Sequence, residues 1–309
     1  MLRRVTRVRR TLAITLACLA SWACEDPGFP HDALRMIDVE VGAIRVATLE
    51  LEGRTPGEPV LVLFSGASPA MEAWGSWITA LSALAPVVAY DRPGAGGSPF
   101  DGVEPTPVRV VQHAHEVLQA LDVPPPYVMV GHSWGGALIR FYSGQYPDEV
   151  AGLVYLDPTD MTASSLEMMG VSSEAELRVR QAQLDSARAR RTLPPGPEAE
   201  SQVMRDFLST PPADRGLPAE LDVPSAVVLA ALHPPIPEGA PAYVTEGWFD
   251  AMFSRRLAEF SQWERDNPNR TLTVAENAGH FVFVDDPATA TEAVRSVLDA
   301  VRRERRDDP

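Results

Sequence analysis

Ser133 stands in Gly131-His132-Ser133-Trp134-Gly135, a G-x-S-x-G pattern entered by an apolar run at 127–130 and left by a helical pattern. A strand that turns this sharply into a helix holds its serine in a strained backbone conformation and lifts the hydroxyl clear of the sheet. The flanking glycines are steric necessities, because the turn has no room for side chains. Five residues of this kind occur by chance in long chains, and it is the strand before and the helix after that make them specific. A hydroxyl so presented is a candidate nucleophile. Free serine is scarcely ionised at neutral pH, so an imidazole must take its proton during attack. Of six histidines, His280 in Asn277-Ala278-Gly279-His280-Phe281 follows the last apolar run and is the candidate base. His31 precedes the folded body, His132 fills the variable slot of the serine turn, and His233, after a strand, is a weaker competitor. His113 and His115 are two apart in a helical pattern, which points them to different faces and is poor geometry for one metal.

The elements that must position these groups are legible as alternating patterns. Apolar residues partly alternate over 36–51, as expected of an antiparallel strand pair. Runs at 60–64, 87–90, 127–130, 153–156, 226–229 and 272–274 are short and nearly all apolar, the mark of strands buried on both faces of a parallel sheet. Helical stretches at about 70–84, 106–121, 134–146, 247–266 and 287–305 lie between them. This alternation predicts an α/β fold with a doubly wound, mostly parallel sheet. Residues 158–222 break the rhythm: they are polar, interrupted by Pro194-Pro195 and Pro211-Pro212, yet carry Met161, Leu166, Met168, Met169 and Phe207. A helical cap insertion accounts for that mixture better than a linker.

Four segments together resemble the α/β-hydrolase family, over roughly residues 36–305. Leu63-Phe64-Ser65-Gly66-Ala67 is similar to the family's strand ending in a histidine-glycine pair, with Ser65 in place of the histidine. Asp91-Arg92-Pro93-Gly94-Ala95-Gly96-Gly97-Ser98 resembles its Asp-x-Arg-Gly-x-Gly-x-Ser loop, with Pro93 for the first glycine. The serine turn and the His280 loop complete the set, in the family's order. The resemblance implies a Ser-His-acid triad and an oxyanion hole made by the backbone N–H groups of Trp134 and Ala67. Asp157, at the end of its strand, agrees with the family's chain order Ser133, acid, His280, as in relatives that carry the acid at this earlier strand. Glu238, Glu246, Asp250 and Asp160 remain alternatives, and a turn cap before Pro158 is the structural reading of Asp157. Asp91 and Arg92 are expected to brace their loop.

Composition bounds what else the protein could do. Over 309 residues, 45% hydrophobic and 22% charged content supports a large core in one elaborated domain. The net charge is −15, and five arginines crowd the first ten residues, so the body is more acidic still and ill suited to nucleic acid. The chain has no lysine, which excludes Schiff-base chemistry. Gly94, Gly96 and Gly97 are followed by no lysine and lack dinucleotide spacing, so no nucleotide cofactor is expected, and no metal. Residues 1–24 read as an export signal: the arginines precede an apolar run at 12–20 that is too short to remain as a membrane span. Cys18 and Cys24 both fall there, so the mature body forms no internal disulfide. Ser21-Trp22-Ala23-Cys24 resembles a bacterial lipobox, which would acylate Cys24 and tether an exported enzyme to the envelope through a spacer at 25–35. A simply cleaved signal and an uncleaved anchor are the alternatives. The expected reaction is hydrolysis of an ester or related acyl bond in a small-molecule substrate. Amide or aminopeptide cleavage, carbon–carbon hydrolysis and acyl transfer on the same triad remain open, as does a binding protein that kept the fold without turnover.

Overall fold

A computed structural model of the chain describes residues 28–40, 42–67, 70–188, 193–236 and 240–307. The signal at 1–24 with Cys18 and Cys24, and the alternative acid Glu238, lie outside the described residues. Among the described residues eight strands form one sheet: β1 Leu34–Val39, β2 Gly42–Leu49, β3 Val60–Phe64, β4 Val87–Tyr90, β5 Tyr127–His132, β6 Val150–Leu156, β7 Ser225–Ala230 and β8 Arg270–Ala275. Their order is β1-β2-β4-β3-β5-β6-β7-β8. β2 pairs antiparallel with β1 and β4, and every other pairing is parallel. The helices are α1 Trp77–Ser82, α2 Pro107–Ala120, α3 Trp134–Gln145, α4 Ser165–Met169, α5 Glu174–Arg188, α6 Pro195–Ser209, α7 Glu246–Arg265, α8 Val282–Asp285 and α9 Pro287–Asp307.

The all-apolar strand runs have a direct explanation. Val60, Val62 and Phe64 enter a core shared with α2 and α3, whereas Leu61 and Leu63 enter a second core shared with α1 and α9. A strand covered on both faces has no solvent side on which to place polar residues. β8 departs from this: it is an edge strand whose residues alternate in exposure, with Thr271 and Thr273 outward. The folded body also begins earlier than the tether reading of 25–35 implies. Phe29 is buried in the α1–α9 core, His31–Ala33 forms a 3₁₀ turn, and β1 starts at Leu34. An aromatic ring with core to fill packs down rather than serving as spacer.

The chain adds β4 on one side of β3 and β5 on the other, so the winding of the sheet reverses there and the loops leaving β3 and β5 diverge at a topological switch point. In open α/β sheets that crevice, at the carboxyl ends of the strands, is where ligands bind. The insertion between β6 and β7, carrying α4, α5 and α6, is fastened to the body near it. Phe207 of α6 packs edge-on against Trp134 and Phe141 of α3, with ring centroids 5.1 and 6.2 Å away. Gly94 and Gly196 meet backbone to backbone: a Cβ on Gly94 would lie 2.7 Å from the Gly196 Cα. Beside them the buried Arg92 pairs with the buried Glu200 of α6 at 2.6 Å. Arg92 also donates to the Ser65 carbonyl at 3.0 Å and to the Gly66 carbonyl. Arg215 sews the insertion's two ends together through the carbonyls of Met161, Ala163, Leu208 and Thr210.

Removing one member of a buried ion pair strands the other, whereas removing both is far better tolerated. Arg92→Met is therefore expected to lower unfolding free energy in urea by about 3–5 kcal/mol, and Arg92→Met with Glu200→Met to recover part of that loss.

Candidate active site

The G-x-S-x-G segment forms the turn from β5 into α3. Ser133 has φ 54 and ψ −121, the left-handed region that β-carbon-bearing residues avoid. The neighbours explain why this chain tolerates it. A Cβ on Gly131 would lie 2.6 Å from the Gly135 carbonyl carbon, and one on Gly135 would lie 2.8 Å from the Phe64 carbonyl carbon. The turn is pinned by hydrogen bonds. Ser133 donates its backbone N–H to Leu156 at 3.1 Å, and its carbonyl accepts from Gly136 and Thr159, both at 2.9 Å. The residue itself is half-buried, with the rest of the turn packed beneath it.

The loop after β3 lies against this serine. A Cβ on Gly66 would come within 3.2 Å of Ser133 Cβ and 3.6 Å of its Oγ. Ala67 follows, half-buried, and the Trp134 backbone N–H heads α3, where helix N–H groups have no intrahelical partner. The Ser65-Gly66-Ala67 loop is held by Arg92, which also reaches Ser65 Oγ at 3.2 Å. Asp91 braces the neighbouring loop, accepting from Met71 N at 2.7 Å, Gly97 N at 3.0 Å and Arg45 Nε at 2.6 Å.

His280 and Asp157 meet across 123 residues of sequence. Asp157 directly follows β6 and His280 lies in the loop after β8. His280 Nδ1 and Asp157 Oδ2 are 2.6 Å apart. Since an ionised carboxylate only accepts, Nδ1 carries the proton, which leaves Nε2 as the basic atom. Asp157 also has a left-handed backbone, φ 41, and donates its N–H to the Val228 carbonyl at 2.7 Å. Its other oxygen accepts from Arg256 Nη1 of α7 at 2.8 Å and from Ala230 N at 3.3 Å. Burial works to raise this carboxyl's pKa, but the Arg256 cation and the His280 hydrogen bond outweigh it and hold the pKa down at about 2. The Asp157 side chain is 7% exposed and that of His280 45%, so the carboxylate is sheltered while the imidazole opens to solvent.

The other described candidates have partners or settings of their own. Asp160 pairs with Arg255 and Arg256, and Glu246 and Asp250 are exposed near the start of α7. His233 stacks on Phe249 and its Nδ1 bonds the Pro234 carbonyl. His113 is a buried residue of α2, whereas His115 of the same helix stacks on Tyr146 and bonds Glu149. Trp74, Trp77 and Trp134 are core, and the first two form an aromatic wall with Phe283 below the His280 loop. Two residues that sequence reasoning left without a site role belong here. His132 Nε2–H donates to the His280 carbonyl at 2.8 Å, and the rings lie 4.6 Å apart. Burial pushes its pKa down to about 3, so it is a neutral brace. Arg256 is one of two adjacent arginines on a helix without any motif, and no local signal marks it.

A family model described as "Alpha/beta hydrolase family" matches residues 61–294. Among curated relatives, the Mycobacterium tuberculosis lipase LipV is 26% identical over 69% of this chain and 83% of its own length. A proline iminopeptidase of Heyndrickxia coagulans is 32% identical over 40% of this chain and 42% of its own. The chain spans less than half the length of several relatives it matches, 39% of an uncharacterized Bacillus subtilis protein among them. The crystal structure of a putative lipase from Acinetobacter baumannii superposes with a TM-score of 0.60 at 15% identity, covering 88% of this chain and 93% of that one. At that identity the likeness concerns the fold alone. The family match spans most of the chain and includes the turn at Ser133 and the His280 loop, and so the protein belongs to the α/β hydrolase family.

Proposed function

We propose that this hydrolase-family protein cleaves an ester or related acyl bond through Ser133, His280 and Asp157, by way of an acyl-enzyme. The observation that carries the reading is the 2.6 Å contact between His280 Nδ1 and Asp157, in a fold where Ser133 stands at the strained, half-buried corner of the turn. Ser133 Oγ attacks the carbonyl carbon while His280 Nε2 takes the hydroxyl proton. Asp157 stabilises the resulting imidazolium and keeps its tautomer. Negative charge gathers on the carbonyl oxygen, where the backbone N–H groups of Trp134 and Ala67 are the assigned donors. The imidazolium gives its proton to the departing alcohol, leaving Ser133 acylated. Water then adds to the acyl carbon with its proton passing to His280, and collapse returns that proton to Ser133 and frees the acid. No step calls for a metal or an organic cofactor. The lipase relative, matched over 83% of its length, favours ester substrates, and the peptidase relative, matched over 42% of its own, makes amide cleavage the second reading. A panel of esters graded by acyl length, with matched amides and thioesters, separates the two.

The partner at Cys24 is a separate proposal, supported only by the lipobox-like Ser21-Trp22-Ala23-Cys24: acylation would tether the enzyme to the exterior or envelope face of a membrane. Full-length protein expressed in bacteria with labelled palmitate should carry label that Cys24→Ser abolishes. An unlabelled, water-soluble product would show simple cleavage instead.

For the chemistry, fluorophosphonate should label Ser133 in folded protein, and Ser133→Ala and His280→Ala should each lower kcat by about a million-fold, since triad members act as a unit. More than a tenth of the wild-type rate in either variant removes the mechanism. Asp157→Asn should cost about ten-thousand-fold in kcat, whereas Glu246→Gln and Asp250→Asn should change it little. The reverse ranking would move the acid elsewhere.

A further inference from the structure

The carboxylate of Asp157 is shared between two hydrogen-bond donors of different kinds. Its Oδ2 faces His280, and its Oδ1 accepts from Arg256 Nη1 at 2.8 Å. The same guanidinium donates through Nη2 to the Pro158 carbonyl at 2.6 Å, and its Nε lies 3.6 Å from Asp160 Oδ1. Arg256 is 15% exposed. A planar fork engaging Oδ1 and the next carbonyl along the chain fixes the plane of the carboxylate, so Oδ2 is aimed at Nδ1 rather than free to rotate away.

The fork also brings a permanent charge. Guanidinium does not deprotonate in proteins, so a full positive charge stands on the sheltered side of the acid at every working pH. That charge offsets part of the carboxylate's attraction for an imidazolium on the other side. Among the described residues the other charged or titratable groups around the pair are these. From β5 there is His132, neutral in its buried slot. Asp160 comes from the loop after β6 and Asp285 from α8, where it accepts from Gly279 N at 2.8 Å. From α7, Arg255 turns instead to Asp160 and to Glu259, which it meets at 2.9 Å.

We propose that Arg256 is a positioning residue of this hydrolase, clamping the Asp157 carboxylate and setting the acid limb of the pH–rate profile. This rests on the triad reading above. The test follows kcat/KM for p-nitrophenyl butyrate from the acid to the neutral range in wild type, Arg256→Gln, Arg256→Met and Arg256→Lys. Gln keeps a hydrogen-bond donor without the charge: the acid limb should move up by about one pH unit, with KM little changed. Met loses the clamp as well, and should combine that displacement with a lower kcat. Lys keeps the charge without the fork, and should lower kcat with the limb at its wild-type position. A uniform loss of rate with the limb unmoved in the neutral variants would reduce Arg256 to a packing role and overturn the proposal. If both neutral variants fail to fold, Arg256→Lys decides: a limb in place supports the assignment and a displaced limb overturns it. Failure of the triad reading looks different, because wild-type protein would then show no fluorophosphonate label at Ser133, or Ser133→Ala would keep its turnover.

Discussion

The structure around the candidate site depends on one steric constraint, the close approach of the turn at Ser133 to the end of β3. Gly135 runs directly past the Phe64 carbonyl and Gly131 past Gly135, so no side chain fits at either position. A left-handed serine costs of order 1–3 kcal/mol and persists only where its surroundings over-determine it. Here three backbone hydrogen bonds, to Leu156, Gly136 and Thr159, and the buried α3 beneath supply that determination. The same approach draws the Ser65-Gly66-Ala67 loop against Ser133, so the candidate nucleophile and the proposed oxyanion donors come from adjacent strands at the switch point of the sheet.

Around this rigid corner the polar groups are arranged by burial. Asp157 is sheltered and kept ionised by Arg256 and His280, whereas the imidazole opens to solvent. A buried carboxylate without such partners would protonate, and a protonated acid cannot stabilise an imidazolium. His132 contributes in the opposite way. It is buried, neutral and hydrogen-bonded to the His280 backbone, so it ties the histidine loop to the strand that carries Ser133 without adding charge.

The insertion is bound into this arrangement rather than laid over it. Arg92 joins the Ser65-Gly66-Ala67 loop to Glu200 of α6, and Gly94 lets the α6 start touch the loop after β4. A displacement of α6 is therefore felt at the loop beside Ser133, which gives the insertion a physical route to influence the site even where its side chains do not touch substrate.

The local parts of this protein were legible in its sequence. Double-sided burial forces an all-apolar strand, so β3 and β4 are readable to the residue, and a backbone that excludes side chains forces glycine, so the turn at Ser133 declares itself. The resemblance of four ordered segments pointed to Ser133 and His280, and narrowed the acid to Asp157 and four alternatives. What the sequence could not rank was anything decided by long-range approach. Asp157 meets His280 across 123 residues and Arg256 across 99. Arg92 meets Glu200 across 108. An arginine on a helix looks the same in sequence whether it faces water or a buried carboxylate, because the cost of burying charge arises only once the fold removes the water. The edge position of β8 and the packing of Phe29 were settled in the same way, by which neighbours the tertiary structure supplied.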